Sequence, residues 1–301
     1  MEQVVNAGGR MPRRKGRRFP VTYARPEQGL FRRSLITGIE YLSGRARLER
    51  LYAEWDETRD PEEPVFSAAI RVLGIRSRVL GVAADAMPGE GPLLILANHP
   101  FGIIDGLLIG HLVSRVRKDV KIMTHSLLCQ PEAVRDAVLP VDFGPGEAAR
   151  RTSAETRRQA TEWLDQGHAL IVFPAGSVAT APKPLAPHAV DAEWHPFAAR
   201  LAARPGVQTV LMHVHGQNSR LFQIASHLSY PLRVALILRE TARRIGQPVT
   251  VTVAPPFELG QHGRRGRSLA AAELRRACWS MARAEGADPD QVFVWPKHIR
   301  W

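Results

Sequence analysis

Short apolar runs alternate along the chain with segments in which apolar residues recur every three to four positions. Short apolar runs bounded by Gly or Pro are typical of buried strands, and the longer period is typical of helices that cover a sheet. The strand-like runs lie at 76–83, 93–97, 120–124, 138–143, 169–173, 208–214 and 249–254. This alternation predicts an α/β protein with a largely parallel sheet flanked by helices.

Helical patterns occupy the segments between these runs. Helices are predicted over 61–74, 106–117, 153–166 and 268–285. For the third of these, Thr152 and Glu155 have the spacing of a capping box, and Gly167 is placed to end the helix. The chain shows no internal repeat and no clear second domain.

The part of the chain that precedes the first strand has a different character. Residues 1–27 are rich in Gly, Pro and Arg, which predicts a basic disordered arm. Residues 28–75 are predicted to hold N-terminal amphipathic helices, since apolar residues from Leu35 to Ala46 recur at helical spacing with arginines between them. Such a helix either lies on a membrane or packs on the domain with its charges in solvent, and the pattern leaves both readings open.

Charge and cysteine content narrow the classes of partner. Lys and Arg number 41 against 29 Asp and Glu, a net charge of +12 that favours an anionic membrane, an acidic carrier protein or nucleic acid as partner. Nucleic acid is disfavoured because no recognition motif is present. The two cysteines, Cys129 and Cys278, lack metal-ligand spacing and indicate a reducing compartment. We expect neither a spanning helix nor a secretory signal, so that any membrane contact is made from the surface.

The stretch LLILANHPFGIIDGLLIGHL, residues 93–112, places His99 and Asp105 in apolar surroundings. Pro100 and Gly102 indicate a turn after the strand, and Asp105 suits the start of the next helix. The two side chains can meet only if this turn folds back, because six positions along a helix place them on different faces. The spacing alone fits either a core histidine beside a helix cap or a general base held by a carboxylate.

A second stretch, LIVFPAGSVAT at 170–180, is also a strand run followed by a turn. It contains Phe173, Pro174, Gly176 and Ser177 at the carboxyl end of a predicted parallel strand, where sites in open α/β sheets form. Its backbone amides are candidates to stabilise an oxyanion. Ser177 lacks the sequence context of a nucleophile elbow, so it is not predicted to be a nucleophile.

The segments NHPFGIIDG and VFPAGSV, in this order, resemble the glycerolipid acyltransferase family of the lysophosphatidic-acid acyltransferase type. The blocks HVHGQNSRLFQIASHL at 213–228 and LRVALILRE at 232–240 resemble its hemolysin-like, or lyso-ornithine-lipid acyltransferase, branch. The resemblance covers about 80–260 and implies that 76–301 is an acyltransferase domain.

The resemblance implies a site and a reaction. His99 would be the general base and Asp105 its orienting partner. The remaining implied contacts to substrate are Asn98, Pro100, Gly102, Phe173, Pro174, Gly176, Ser177, Asn218 and Arg220. The acyl donor would be a thioester of acyl carrier protein or coenzyme A, the acceptor a lysolipid hydroxyl, and no cofactor or metal is expected. Such an enzyme would be peripheral, on an anionic membrane surface at the cytoplasmic face of the bacterial inner membrane.

Departures from the commoner family pattern concern the acceptor. Five residues rather than four separate His99 from Asp105, a spacing associated with the hemolysin-like branch. The Glu and Arg of the commoner second block are replaced by Ala175 and Val178, and Phe143 occupies the position of another expected arginine. These replacements favour a lyso-ornithine lipid or a related lysolipid as acceptor, with 1-acylglycerol-3-phosphate as the alternative. A thioesterase or lipid hydrolase, and a non-catalytic membrane lipid-binding protein, are the competing hypotheses.

Other polar residues carry weaker signals. His213 and His215 share one face of a strand, but without a third ligand they are expected to be structural or to line a pocket. Asn218 and Arg220 flank the start of a helix, as a cap with a surface arginine or as contacts to a head group or carrier phosphate. The arginine clusters at 13–18 and 263–267 fit solvated faces, or contacts to acidic lipid or carrier protein.

Overall fold

The computed structural model describes residues 34, 38, 44–58, 60–129, 132–142, 146–260, 266–282, 286–296 and 298–299. The arm expected at 1–27, most of the helix expected from Leu35 to Ala46, Phe143 and most of the basic segment 263–267 lie outside the described residues.

Eight described strands form one sheet. They are β1 (Arg76–Gly81), β2 (Leu93–Ala97), β3 (Val120–His125), β4 (Val138–Val141), β5 (Ala169–Val172), β6 (Gln208–Val214), β7 (Pro248–Val253) and β8 (Phe257–Glu258). Their order is β1-β7-β6-β2-β5-β3-β4, with β8 beside β6. All pairings are parallel except those of β6 with β7 and with β8. The predicted fold class and all seven predicted strands are confirmed, and the short β8 is additional.

Eight helices are described in full. They are α1 (Arg45–Thr58), α2 (Val65–Val72), α3 (Ile103–Ser114), α4 (Glu147–Asp165), α5 (Pro196–Ala202), α6 (Arg220–Leu228), α7 (Tyr230–Arg243) and α8 (Gly266–Ser280). Short 3-10 turns lie at Ala84–Ala86, Ser126–Cys129 and Glu132–Ala137. Within the described part of the chain, no helix has the length and apolar character that crossing a membrane requires.

The predicted start of α4 is wrong, and the reason is local. The helix begins at Glu147, so Thr152 and Glu155 lie inside it rather than in a capping box. The Thr152 hydroxyl donates to the carbonyl of Ala148 one turn earlier, and Glu155 pairs with Arg158. Its end was predicted correctly, because Gly167 adopts a φ of 85° just beyond the last turn.

Apolar side chains fill both faces of the sheet. On one face, β2 side chains such as Ile95 pack in a cluster with α2, α3 and α7, and on the other Leu94 and Leu96 pack in a cluster with α4, α5 and α8. All five residues of β2 are buried, as expected of a central strand covered on both faces. Because β2, β5 and β6 are parallel neighbours, the segments that follow them meet at one edge of the sheet.

Candidate active site

His99 and Asp105 meet at the carboxyl end of β2. The Nδ1 atom of His99 lies 3.0 Å from Oδ2 of Asp105. Its N–H direction is poorly aligned with that oxygen, so the contact is an ion-pair distance rather than a well-formed hydrogen bond. The His99 side chain is 19% exposed and that of Asp105 is fully buried. The ring can therefore reach a substrate while the carboxylate stays behind it.

The turn between the two residues explains how they meet. The Oδ2 atom of Asp105 accepts the backbone N–H of Phe101 at 2.8 Å and that of Gly102 at 2.9 Å, at the start of α3. Gly102 adopts a φ of 87°, which favours glycine, and a Cβ there would lie 3.3 Å from the Val178 side chain. The carboxylate thus caps the helix and faces the imidazole with the same oxygen.

The second stretch packs directly on His99. The ring of Phe173 stacks on the imidazole with centroids 4.2 Å apart and planes 26° apart. The backbone N–H of Ala179 donates to the carbonyl of His99 at 2.7 Å. The Pro174 carbonyl accepts the N–H of His195, which ties the turn to the start of α5. The two sequence motifs therefore form a single site.

The turn after β5 carries donors without an internal acceptor. Gly176, with a φ of 65°, donates its N–H to the Phe173 carbonyl and closes the turn. In the part of the chain that is described, the N–H groups of Ser177 and Val178 donate no hydrogen bond. The Oγ atom of Ser177 is buried and likewise without a partner there. These groups are candidate hydrogen-bond donors in the segment that packs on His99.

The other residues suggested by sequence have different surroundings. Pro100 is buried in the turn. The Asn98 side-chain amide bonds to the backbone of Val214 in β6. Its nitrogen donates to the Val214 carbonyl at 2.9 Å, and its oxygen accepts the Val214 N–H at 2.7 Å. Asn218 is 2% exposed, and its amide makes no hydrogen bond among the described residues. The guanidinium of Arg220 donates to the Ala186 carbonyl, and no described contact joins it to His99.

A family model described as Acyltransferase matches residues 51–241. The chain belongs to this acyltransferase family. This match confirms the acyltransferase family that the sequence motifs resemble, and the hemolysin-like branch stays a prediction. This acyltransferase is also similar to the crystal structure of the 1-acyl-sn-glycerophosphate (LPA) acyltransferase PlsC from Thermotoga maritima. That similarity has 16% identity and a TM-score of 0.42, over 83% of this chain and 81% of that chain. No curated protein sequence matches it.

Asp191 contacts His99 in the acyltransferase, although no motif predicted this contact. Its Oδ1 accepts the backbone N–H of His99 at 3.2 Å, and its Oδ2 accepts the indole N–H groups of Trp194 at 2.9 Å and Trp279 at 3.4 Å. Complete burial raises the pKa of this carboxyl above its ordinary value, an effect that these donors and nearby Arg275 oppose.

Arg233 is a second residue that supports the site and was not predicted from the sequence. Its guanidinium, 3% exposed, donates to the Val178 carbonyl and, at 2.6 Å each, to the hydroxyls of Thr180 and Ser226. Burial among these neutral acceptors lowers its pKa to about 9. Arg233 thus holds the segment that bonds to His99 from its other side.

His213 in β6 and His215 just after it form no metal centre with their described neighbours. The rings of His213 and His215 lie 4.9 Å apart, and the ring of Trp279 is 5.1 Å from that of His213. Among the described residues, no group of three or more His, Cys, Asp or Glu side chains is arranged to hold a metal ion. Burial, with the charge of His215, lowers the pKa of His213 to about 3.

An apolar cavity of about 200 Å³ lies on the α1–α3 side of the sheet. It is lined by Leu48, Leu51, Tyr52, Trp55, Val65, Phe66, Ala69, Val72, Leu73, Ile103, Gly106, Leu107, Ile122, Thr124, Leu128, Val134, Val138, Leu238 and Thr241. Gly106 lies between this cavity and the site. A Cβ at Gly106 would be 3.0 Å from Ile122 in the cavity wall and 3.9 Å from Phe173, the ring that stacks on His99.

Proposed function

We propose that this acyltransferase moves a fatty acyl group from a thioester to the hydroxyl of a lysolipid, with His99 as general base. The observation that carries the proposal is the partly exposed imidazole with Asp105 behind its Nδ1 atom at 3.0 Å. Because the Nδ1 atom faces Asp105, the Nε2 atom on the other side of the ring is left for an incoming hydroxyl. Asp105 favours the tautomer with the proton on Nδ1 and stabilises the imidazolium once Nε2 is protonated.

The proposed reaction proceeds by direct attack. The acceptor oxygen attacks the thioester carbonyl as its proton passes to Nε2 of His99. The tetrahedral intermediate then collapses, the carbon–sulfur bond breaks, and the proton on Nε2 is returned to the departing sulfur. The products are the acylated lipid and a free thiol.

The turn after β5 is the candidate oxyanion hole. The N–H groups of Ser177 and Val178 and the buried Ser177 hydroxyl, which have no partner among the described residues, are donors fixed before substrate arrives. Donors that are fixed in advance and partly shielded from water stabilise a developing oxyanion strongly.

The apolar cavity is the candidate acyl-chain site. Its volume of about 200 Å³ exceeds the roughly 150 Å³ of an apolar cavity that admits benzene in another protein. Gly106 lines the cavity, and a Cβ there would be 3.9 Å from Phe173, the ring that stacks on the imidazole. A chain attached to a carbonyl beside His99 therefore has a short path into the cavity.

The acceptor we favour is a lyso-ornithine lipid or a related lysolipid without a phosphomonoester. Ala175, which stands where the commoner family pattern has Glu, packs with the apolar cluster under α4. Val178, at the position of the usual Arg, is buried, and Arg150 and Arg151 are exposed on α4. A phosphate head group would therefore lack the usual partners, as in the hemolysin-like branch. We further propose a peripheral enzyme at the cytoplasmic face of the bacterial inner membrane.

Purified full-length protein tests the reaction directly. It is mixed with an acyl-coenzyme A or an acyl carrier protein thioester, and with lyso-ornithine lipid, 1-acylglycerol-3-phosphate or no acceptor. Thiol release and lipid mass are measured. We expect acceptor-dependent transfer that His99→Ala lowers by about 10²- to 10⁴-fold with unchanged thermal unfolding. Undiminished transfer by His99→Ala would refute the base assignment, and thiol release with water alone would indicate a hydrolase.

A further inference from the structure

Four exposed apolar side chains lie on three segments that are bonded to one another. Six large apolar side chains are strongly exposed in the described part of the chain. Of these, Leu185, Leu221, Leu228 and Val294 are 77%, 48%, 66% and 77% exposed, and they come from three segments that contact one another. We call these four residues the α6 rim. Large apolar side chains gathered at one place mark an interaction surface more often than scattered ones do.

Hydrogen bonds hold the three segments together. Arg220, next to Leu221, donates to the carbonyl of Ala186, next to Leu185. The imidazole of His227, next to Leu228, lies 2.8 Å from the Ala181 carbonyl, and that of His298 lies 2.9 Å from the His227 carbonyl. The loop that carries Leu185 and the C-terminal segment near Val294 are therefore both bonded to α6.

Part of the rim forms an apolar stripe along α6 that is exposed among the described residues. Leu221 and Leu228 are seven positions apart and share a helix face with the half-buried Ile224. The opposite face of α6 packs in the core, where Phe222 and Ala225 are buried. This helix thus presents apolar residues to both the core and solvent.

The charge around the rim suits an anionic lipid surface. The segments 181–190, 218–231 and 291–299 contain no Asp or Glu, and their Lys and Arg residues are Lys183, Arg220 and Lys297. The rings of Tyr230 and Trp295, 6.3 Å apart, lie half-buried at its edge. Exposed leucines, flanking basic residues and amphipathic aromatics are typical of surfaces that enter the head-group region of a bilayer.

The rim is directly connected to the site. On α6, Gln223 accepts the backbone N–H of Ala181 at 2.9 Å, and Ser226 accepts from Arg233. Two residues before Ala181, the N–H of Ala179 donates to the His99 carbonyl. The segment from Val178 to Ala181 therefore bonds to His99 on one side and to the rim helix on the other.

We propose that the α6 rim docks on an anionic phospholipid bilayer and so brings the His99 site to a membrane-resident acceptor. The role in acceptor delivery rests on the proposed function, whereas the docking itself does not. Leu221 and Leu228 enter the interfacial region, and Lys183 pairs with lipid phosphates.

Vesicle sedimentation of the full chain tests the docking. Vesicles of phosphatidylcholine, alone or mixed with phosphatidylglycerol, are compared for the wild type, the double variant Leu221→Gln/Leu228→Gln, and Leu269→Gln. Leu269 is a matched control because it is 69% exposed but lies on α8, on the other side of the sheet. We expect the double variant to lower the partition coefficient by about a hundredfold, and Leu269→Gln to leave it unchanged. Lys183→Gln should weaken binding about fivefold, only to the phosphatidylglycerol vesicles.

Parallel measurements separate docking from catalysis. With a short-chain lysolipid dissolved as monomers, the double variant should retain wild-type transfer and His99→Ala should not. Binding of the double variant equal to wild type would overturn the proposal and place any membrane contact elsewhere. A rim-dependent self-association without vesicle binding would also overturn it, in favour of a second copy of the chain. If the wild type binds vesicles through the rim but transfers no acyl group to any acceptor, the proposed function is refuted and the docking is not.

Discussion

Asp191 accepts the backbone N–H of His99 at 3.2 Å, although the two residues are 92 positions apart in the chain. A second carboxylate, that of Asp105, faces the side chain of the same histidine. His99 is therefore held at both its backbone and its imidazole. All three groups that bond to Asp191 are hydrogen-bond donors. The N–H₂ group of an asparagine at this position would therefore face a donor instead of an acceptor.

Replacement of Asp191 by Asn should impair positioning of His99. We expect a fall in the free energy of unfolding of about 1–3 kcal/mol, because the new amide N–H₂ group meets donors. We also expect kcat to fall about tenfold or more with little change in KM for the acyl thioester, because the cavity does not involve Asp191. Chemical denaturation and steady-state kinetics of the same preparation measure both.

Asp119→Asn is the control for that variant. Asp119 pairs with Arg117 and His168, which help to lower its pKa to about 2, and it has no described contact with His99. The Asp119→Asn variant should have a lower free energy of unfolding without a comparable loss of kcat. An equal kcat loss in the two variants would mean that Asp191 acts only through stability.

The strands were predictable because each carries a short apolar run that the covered sheet requires. β2 illustrates this, since all five predicted residues form the strand and are buried. β8 was missed because two residues, Phe257 and Glu258, give no periodic signal. The start of α4 was placed too late because it follows Gly146, which supplies no capping side chain, whereas a cap-like pair occurs inside the helix.

The site was predictable only as far as its parts are local in sequence. His99 and Asp105 lie in one turn, and the turn after β5 is a single motif. The contacts of Asp191 with His99 and of Arg233 with Val178 span 92 and 55 positions and depend on how distant segments pack. The sequence marks neither residue as special, since a lone acid and a lone arginine are usually found at the surface.

Asp105→Asn tests the pairing with His99. We expect kcat to fall by about 10²- to 10⁴-fold, because an amide neither stabilises the imidazolium nor fixes its tautomer. We also expect a loss of about 1 kcal/mol in unfolding free energy, since the carboxylate caps Phe101 and Gly102. Single-turnover rates and thermal unfolding check the two effects. A variant with near-normal rates would show that Asp105 is only a helix cap.

Gly106→Val tests the acyl-chain site. The added side chain would press on Ile122 and narrow the path between Phe173 and the cavity. We expect kcat/KM for a long-chain thioester to fall roughly tenfold more than for a short-chain thioester, measured by competition between the two donors. Gly89→Val is the control, because a Cβ there meets nothing within 4 Å. An equal loss for both donors would mean that the acyl chain lies elsewhere.

His213 should make the fold sensitive to acid. Because burial lowers its pKa to about 3, against an ordinary 6.5, the unfolded chain takes up the proton first as pH falls. The contribution of His213 to stability is thus complete above about pH 6.5 and is lost progressively toward pH 3, by up to about 1.4 kcal/mol per pH unit. His111 and His195, whose pKa values burial also lowers, add to the same slope. Urea unfolding of the wild type and His213→Phe between pH 7.5 and pH 4 measures the difference. We expect a shallower slope for the variant, and parallel curves would show that His213 is not buried in its neutral form.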